Sequence, residues 1–507
     1  MTPEHARRDS ASTASRIVPW LLLAAYLVAT LVLLVHHENW RDEAQGWLMA
    51  KQLGPLGLLD ALSYEGHPCL WYLMLMPLAK LGLPYQAVNV FSMVTMGVAA
   101  WLVLFRSPFP LPVRALVLAS PLFLYYYSVI GRSYCLVVLL LALLAVTYPG
   151  RLERPVPYCL LVALLLQTHI LVAFACLALC LGLLVEVAAR YRTGRDAARL
   201  RGGIAALLLP LASAGLLLYE FRNVRYAVAN LYATSATPSE VPGLIAERAS
   251  ANASALFGPS LWPIVAAMLL AFLVLALRRG RRAAAPVAAV VATLAWMQYM
   301  TTFRYGGATA RYLLVDLAVT LWACWVLLDG EVGPWHATWL GRSCVALVVT
   351  GAALSAIALD PGCLPDLSRP YSDAPRCAAY LETLDADVPV VEAETDFIDS
   401  VAAYLGDREV YNPYARSTAT WVDRDQRDVH DLTFAELKAN VRAAYPQAGG
   451  FYLVTGYPLR LYGCVTDLDA SLAGTQPVYD TKANLARSGE SLLVSDEYFS
   501  VYYVSLS

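Results

Sequence analysis

Long runs without a single charge constrain the fold of this chain most. The segments Ile17–Val35, Ala87–Phe105 and Val345–Leu359 contain no Asp, Glu, Lys or Arg. An α-helix needs about 20 such residues to cross roughly 30 Å of hydrocarbon. Of the 507 residues, 58% are hydrophobic and 15% are charged, against roughly 45–50% and 25% in soluble domains. The sequence therefore excludes a soluble enzyme and predicts a polytopic α-helical membrane protein.

The net charge of −2 hides two different parts of the chain. From Asp360 onward there are 23 acidic and 11 basic residues, a net charge of −12, whereas the first 359 residues carry +10. We therefore predict a membrane module over residues 1–359 and a soluble domain over residues 360–507. The acidic domain has no basic stretch interleaved with aromatic residues, so nucleic acid is not an expected partner.

Apolar segments predict about 11 to 13 membrane spans. Ten are clear, at 17–35, 69–83, 86–105, 113–130, 133–149, 203–219, 261–277, 284–301, 312–328 and 338–358. An eleventh stretch, 156–188, is either one tilted helix or two short ones. We expect an odd total, which is eleven if 156–188 is a single helix.

Basic residues set the expected orientation, because they concentrate on the cytoplasmic side. The two strongest clusters are Arg190, Arg192, Arg195, Arg199, Arg201 and Arg278, Arg279, Arg281, Arg282. With these clusters and the amino terminus inside an inner or plasma membrane, the loops 36–67, 220–260 and 301–311 lie outside. The 360–507 domain is then extracytoplasmic. We further expect the 220–260 loop to be mobile.

The sequence pattern of the acidic domain predicts an α/β fold. Short β-rich runs are expected at 388–391, 409–411, 451–454, 492–494 and 498–504, and amphipathic helices at 397–405 and 434–444. In an oxidising compartment two of Cys363, Cys377 and Cys464 could pair, and the sequence leaves the choice open.

The first outer loop carries the strongest candidate residues. It reads His36-His37-Glu38-Asn39-Trp40-Arg41-Asp42-Glu43-Ala44-Gln45, directly after the first span. Ionisable groups at a membrane edge are candidates for a function. Alternatively, Asp42 and Glu43 cap the following helix, because acids complement the dipole at a helix N-terminus. We predict one or two short helices over residues 36–67, with both acids at the mouth of a cavity.

A second motif, Gly66-His67-Pro68-Cys69, leads into the next apolar segment. Pro68 is routine at a first helical turn, whereas His67 beside free backbone N–H groups is a candidate anion site. Arg304 and Arg311 are basic residues on the side that should be poor in them, and guanidinium groups bind phosphate bidentately. Arg132 is a further candidate, although the span count places it inside. Lys51 completes the candidate phosphate-binding residues.

These motifs, in this order, resemble the GT-C superfamily of membrane glycosyltransferases. The similarity is to the branch of protein O-mannosyltransferases and lipid A aminoarabinose transferases. It rests on Asp42-Glu43 after the first span, on Gly66-His67-Pro68 before the second, and on the many-spanning body with an outer α/β tail. The chain departs from the family at Cys69, where relatives often have a second proline.

The resemblance implies transfer of a sugar from a polyprenyl phosphate to an acceptor hydroxyl on a glycan, lipid or protein. Asp42 would be the catalytic base, with Glu43 beside it, and basic residues would hold the lipid phosphate. A single base without a carboxylate nucleophile suggests inversion at the anomeric carbon, by analogy with glycosidases. No cofactor is certain. A divalent ion, Mg²⁺ or Mn²⁺, on Asp42 or Glu43 is a further expectation, since hard cations prefer carboxylate oxygens.

The main alternative is a multi-span secondary transporter or flippase of a lipid or small solute. Transporters of this kind show internal repeats and ionisable residues within their spans. We find no clear repeat, and the polar residues inside the apolar segments, Gln167, His169 and Asp316, are scattered.

Overall fold

The apolar runs form a helical body that ends near residue 363. The computed structural model describes residues 13–194, 197–224, 236–305, 307, 309–330, 333–394, 398–406, 408–418, 421–423, 430–456, 464–494 and 497–506. The body contains α1 (Thr13–His36), α2 (Arg41–Gln52), α3 (Pro55–Glu65), α4 (Leu70–Lys80), α5 (Ala87–Arg106), α6 (Leu111–Ala119), α7 (Tyr134–Thr147), α8 (Pro155–Leu166), α9 (Ala173–Gly194), α10 (Ala197–Ala206), α11 (Leu208–Glu220), α12 (Val241–Phe257), α13 (Trp262–Leu277), α14 (Arg281–Tyr299), α15 (Ala310–Asp329) and α16 (Trp339–Cys363).

Seven of the described helices are long and apolar enough to cross a membrane. They are Arg16–His36, Ala87–Arg106, Ile170–Gly194, Ala197–Glu220, Ala283–Arg304, Ala310–Asp329 and Trp339–Leu359. An eighth candidate is the pair α12 and α13, which is bent by 100°. The polytopic helical fold is thus confirmed. The expected 11 to 13 spans exceed these seven or eight because the expectation also counted short apolar helices such as Tyr134–Gly150 and Pro155–Leu166.

The 69–83 segment does not form the predicted span. Its helix α4 has 11 residues, about 16 Å at 1.5 Å per residue, and it packs along α2. Lys80 Nζ reaches the main-chain oxygen of Lys51 at 3.3 Å, and the Tyr85 hydroxyl donates to the main-chain oxygen of Trp40 at 3.0 Å. The C-terminal end of α4 and the turn after it therefore lie beside α2 and Trp40.

The 156–188 stretch is two helices, α8 and α9, and not one. The chain breaks at Gln167–His169, where His169 is extended with φ −157° and ψ 140°. The Gln167 amide donates to the main-chain oxygen of Ser213 in α11 at 2.9 Å. This tertiary contact stabilises a turn that hydropathy alone does not reveal.

The helical body has two ends with different chemistry. Trp20, early in α1, contacts Phe105 at the end of α5, so these two helices are antiparallel. Arg151, Arg190, Arg278 and Arg279 line one groove at what we call the opposite face. The end of α1, the start of α5 and the turn after α8 lie at the other end, the site face. Arg7, Arg8 and Arg195 lie outside the described residues.

A small α/β unit follows α16. It contains α17 (Ala374–Glu382), β1 (Val390–Glu392), α18 (Ile398–Tyr404), β2 (Val410–Tyr411), α19 (Phe434–Ala444), β3 (Gly450–Thr455), α20 (Leu468–Ser471), β4 (Tyr479–Asp480), α21 (Thr481–Ser488) and β5 (Ser500–Ser505). The strands form one sheet in the order β2-β1-β3-β5-β4. β1 is parallel to β2 and β3, whereas β5 is antiparallel to β3 and β4.

Most of the predicted elements of this unit are present. The helix predicted at 434–444 has those bounds, because Thr433 and Glu436 form a reciprocal capping box at its start. The strand predicted at 492–494 is wrong: residues 491–494 form no strand and instead bond to the segment before α17 through Leu493 N and the Pro370 oxygen. The two-residue strand β4 was not predicted.

The α/β unit packs on the helical body at the site face. α18 contacts α2, and buried residues of both parts form one continuous apolar core. All ten cysteines lie among the described residues and none forms a disulfide there, and Cys363 and Cys377 are buried.

Candidate functional site at the start of α2

The two acids of the first loop lie in the first turn of α2. Trp40 precedes the helix in an extended conformation, with φ −124° and ψ 178°. Residues 36–67 form two short helices, α2 and α3, as predicted. Successive side chains on a helix diverge by about 100°, so Asp42 and Glu43 point to different surroundings. The Asp42 side chain is 20% exposed and that of Glu43 is 0% exposed.

Asp42 faces two arginines of the helical body. Its Oδ2 lies 2.6 Å from Nη2 of Arg311, at the start of α15. Nη1 of Arg132 donates to the main-chain oxygen of Asp42. Arg132 therefore lies at the site face and not on the far side, as the span count implied. That count failed because α4 is not a span and 156–188 is a hairpin.

Unpartnered hydrogen-bond donors surround this ion pair. Arg311 lies over the Trp40 ring, 5.0 Å from its centroid, and over Tyr312 at 5.3 Å. Nε of Arg311 and Nε1 of Trp40 are buried, and neither has a hydrogen-bond partner among the described residues. Buried donors cost free energy when they stay unpaired, so these groups favour an anionic ligand beside Asp42.

His169 extends this donor set. Its ring stacks on Tyr134 at 4.8 Å and contacts His67 at 5.6 Å. Burial, together with the neighbouring His67 and the positive charges of Arg132 and Arg311, holds the pKa of His169 well below its usual value. The ring is therefore neutral.

The tautomer of His169 follows from its neighbour. Leu171 N donates to Nδ1 at 3.2 Å, so the proton of the neutral ring is on Nε2. This Nε2, like the hydroxyl of Tyr134, has no partner. The predicted His67 thus belongs to the site through His169, a residue that the sequence did not single out.

Glu43 is enclosed on the other side of the turn. Its Oε1 accepts from Nδ2 of Asn89 at 2.7 Å and from the main-chain N–H of Gly131. Its Oε2 accepts from Trp40 N and lies next to His37 Nε2, both at 3.2 Å. A Cβ at position 131 would lie 2.9 Å from Val88 and 3.0 Å from Oε1, so the close approach needs glycine. Glu43 does not lie at a cavity mouth, contrary to the prediction, and it does cap α2.

His37 connects Glu43 to the α/β unit. Its Nδ1 lies 2.8 Å from Oδ2 of Asp366, which also accepts from the Tyr125 hydroxyl at 2.6 Å. Burial alone would lower the pKa of His37, but Glu43 and Asp366 outweigh it and raise this pKa to about 10. His37 is therefore a buried cation between two carboxylates.

The α/β unit binds the same loop at several further points. The Glu38 carboxylate accepts from Tyr371 N at 2.7 Å, and the Tyr404 hydroxyl accepts from Asn39 N at 2.8 Å. Gln45 exchanges two hydrogen bonds with the main chain of Val422, at 2.7 and 2.8 Å. The unit therefore holds the backbone that presents Asp42.

Two other predicted phosphate-binding residues, Lys51 and Arg304, lie outside the first turn of α2 and the start of α15. Lys51 lies near the far end of α2, about 13 Å along the helix from Asp42, and its Nζ donates to the Gly406 oxygen at 3.1 Å. Arg304 ends a π-helical turn, Met300–Arg304, beside Tyr305.

The surroundings of Glu43 do not fit a metal ligand, because protein donors occupy both its oxygens. Among the described residues, no group of three or more His, Cys, Asp or Glu side chains could hold a metal ion. A divalent ion on Asp42 alone stays a prediction.

One solved structure resembles the chain over nearly its full length. It is ArnT from Cupriavidus metallidurans bound to undecaprenyl phosphate, with a TM-score of 0.50, 14% identity, and coverage of 97% of this chain and 98% of that one. The chain has the fold of ArnT. ArnT is the lipid A aminoarabinose transferase, a GT-C glycosyltransferase. Its apo structure gives a TM-score of 0.49 and 13% identity over the same shares.

Sequence comparison adds no closer relative. No family model matches the chain, and no curated protein matches it. The comparison therefore shows an ArnT-like fold for this chain.

Proposed function

We propose that this protein is a GT-C membrane glycosyltransferase that takes its sugar from a polyprenyl phosphate. One observation carries the proposal: in a chain with the ArnT fold, the acid after the first span forms an ion pair with Arg311, and unpartnered donors surround that pair. The solved ArnT bound to undecaprenyl phosphate supports the same class of ligand here.

The lipid phosphate competes with Asp42 for Arg311 in this mechanism. A phosphate offers bidentate acceptors to a guanidinium, and it satisfies Nε of Arg311 as well as the Nη2 that now pairs with Asp42. Tyr134 and His169 supply neutral donors nearby. Donor binding therefore releases the Asp42 carboxylate from its ion pair with Arg311.

The released Asp42 acts as general base. It takes the proton of the acceptor hydroxyl as that oxygen attacks the anomeric carbon, a step for which a carboxylate must come within about 3 Å. The bond to the phosphate breaks, and Arg311 and Arg132 stabilise the charge left on the lipid phosphate. The other carboxylate, Glu43, is enclosed and cannot act as a nucleophile, which favours inversion.

The site face is the extracytoplasmic side in this proposal. The positive-inside rule favours it, because Arg151, Arg190, Arg278 and Arg279 lie together at the opposite face. The α/β unit after α16 is then extracytoplasmic, in an inner or plasma membrane.

Purified protein in detergent, incubated with a panel of undecaprenyl-phosphate sugars, tests the proposal. We expect one or more of these donors to be converted to free undecaprenyl phosphate, detected by mass spectrometry, in the presence of an envelope-lipid acceptor extract. Donor translocation in vesicles without any consumption of donor would instead favour a flippase.

A further inference from the structure

A cavity lies in the helical body, and neither Asp42 nor Arg311 is among its described lining residues. Its volume is about 260 Å³, and it lies among α6, α12, α13, α14, α15 and α16. This is slightly below the roughly 300–1,000 Å³ of typical ligand sites. Residues of α12, including Asn252, Ala253 and Leu256, form one wall. Among the described residues that line the cavity there is no Lys, Arg or His, and Asp316 is the one charged residue.

One face of α15 lines this cavity. Leu313, Asp316, Leu317 and Thr320 have the i, i+3, i+4, i+7 spacing of a single helix face. Arg311 is five residues before Asp316, a rotation of about 140° around the helix. The same helix therefore presents Arg311 to the ion pair and Asp316 to a separate space.

The Asp316 carboxyl has no hydrogen-bond partner in the part of the chain that the structure describes. Its Oδ1 is buried and makes no hydrogen bond, and Thr320 donates to the main-chain oxygen of Asp316, not to its side chain. A carboxyl in such surroundings costs several kcal/mol unless a donor pairs with it. Asn252 and Gln298 donate elsewhere, to Thr301 and to the main-chain oxygen of Ile245.

We propose that this cavity is a binding site for a primary ammonium group carried on an apolar chain, with Asp316 as its ion-pair partner. The apolar wall of the cavity would contact the apolar chain of the ligand. The carboxylate of Asp316, with no cation among the described lining residues, would pair with the ammonium group. This site goes beyond the proposed transferase function and does not depend on it.

Native mass spectrometry of the full chain in detergent tests this site. The probes are decylamine, decanol and decanoate at equal mole fraction. The variants are Asp316→Asn, which removes the charge, Ala253→Trp, which fills the cavity from α12, and Thr320→Val as a control that lines the cavity but keeps the carboxyl. Thermal melting without probe checks that each variant is folded.

We expect a one-to-one decylamine adduct in wild type and in Thr320→Val. We expect about tenfold less of it, equivalent to about 1.4 kcal/mol, in Asp316→Asn, which loses the charge, and in Ala253→Trp, which loses the space. Decanol should bind more weakly and decanoate least. Equal binding of the three probes, or an unchanged decylamine adduct in both Asp316→Asn and Ala253→Trp, would overturn the proposal. A higher melting temperature of Asp316→Asn without any loss of the decylamine adduct would also overturn the proposal, because Asp316 would then only destabilise the fold and not bind the ligand.

Discussion

The two carboxylates at the start of α2 occupy opposite environments. Asp42 is partly exposed, and its carboxylate pairs with Arg311 beside donors that have no partner. Glu43 is fully enclosed, accepts from Asn89, Gly131 and Trp40, and pairs with His37. We call these two regions the arginine side and the histidine side of the turn.

The difference separates chemistry from positioning. On the arginine side, an anion that binds Arg311 would replace Asp42 there, and the Asp42 carboxylate could then react. On the histidine side, every contact of Glu43 is within the protein, and His37 continues it to Asp366 of the segment after α16. A change on the arginine side should therefore affect transfer, and a change on the histidine side should affect stability.

The largest effect is expected for Asp42→Asn. The substitution keeps the size of the side chain but removes the basic carboxylate, so transfer should fall by roughly 10²–10⁴-fold. Donor consumption by the purified variant measures this loss, with undecaprenyl phosphate binding and thermal melting as controls. Wild-type transfer by a folded Asp42→Asn variant would remove Asp42 from the mechanism.

Glu43→Gln should instead lower the free energy of unfolding, by about 3–5 kcal/mol. One oxygen becomes an amide NH₂ that faces donors, and the buried His37 loses one of its two carboxylate partners. Glu38→Gln is the matched control, because a Gln oxygen can still accept from Tyr371 N. The melting temperatures of both variants in one detergent measure the difference. An equal effect of the two changes would contradict a special role of the histidine side.

The charge of His37 predicts how stability depends on pH. Its pKa is raised from 6.5 to about 10 in the folded protein, so its contribution is fully present below about pH 6.5 and is lost as the pH rises through about 10. The melting temperature of wild type should therefore fall over this range more than that of His37→Gln. Parallel curves for the two proteins would mean that His37 is not a cation in the folded protein.

The sequence predicted the parts of the site that local patterns carry. Asp42, Arg311 and His67 were each candidates because charged or polar groups beside apolar runs are rare. Their pairing was not predictable, since Asp42 and Arg311 meet only when the start of α15 packs beside the loop. Arg132 was placed on the wrong side because hydropathy cannot distinguish α4, which covers α2, from a helix that crosses the membrane.

Most contacts of the histidine side could not be predicted from the sequence. Asp366 lies in a short 3₁₀ turn, Pro365–Leu367, with no motif around it, and Asn89 lies within an apolar run. Asp366 contacts His37, which lies 329 positions earlier in the sequence, and Asn89 contacts Glu43, which lies 46 positions earlier. The α/β unit was predicted in outline because its strands alternate locally, whereas its attachment to residues 37–45 depends on tertiary packing.

Arg311→Ala and Arg304→Ala test whether phosphate binding is confined to the arginine side. Loss of a phosphate contact at Arg311 should weaken undecaprenyl phosphate binding by about 1.5–3 kcal/mol. Arg304→Ala should weaken it less, since Arg304 lies in the Met300–Arg304 turn, before the start of α15 that carries Arg311. Titration of both variants with undecaprenyl phosphate in detergent gives the comparison. A larger loss at Arg304 would move the phosphate site away from the Asp42–Arg311 pair and towards the Met300–Arg304 turn.

The smallest effect is expected for Lys51→Ala. Lys51 shares α2 with both acids, but its side chain is exposed and reaches only the Gly406 oxygen, at 3.1 Å. Exposed substitutions of this kind usually change stability by less than about 0.5 kcal/mol. Donor binding and transfer by Lys51→Ala should therefore match wild type in the assays used for Asp42→Asn. A loss of donor binding as large as that of Arg311→Ala would show that the donor site extends along α2 to Lys51. The arginine side would then not be the whole of the donor site.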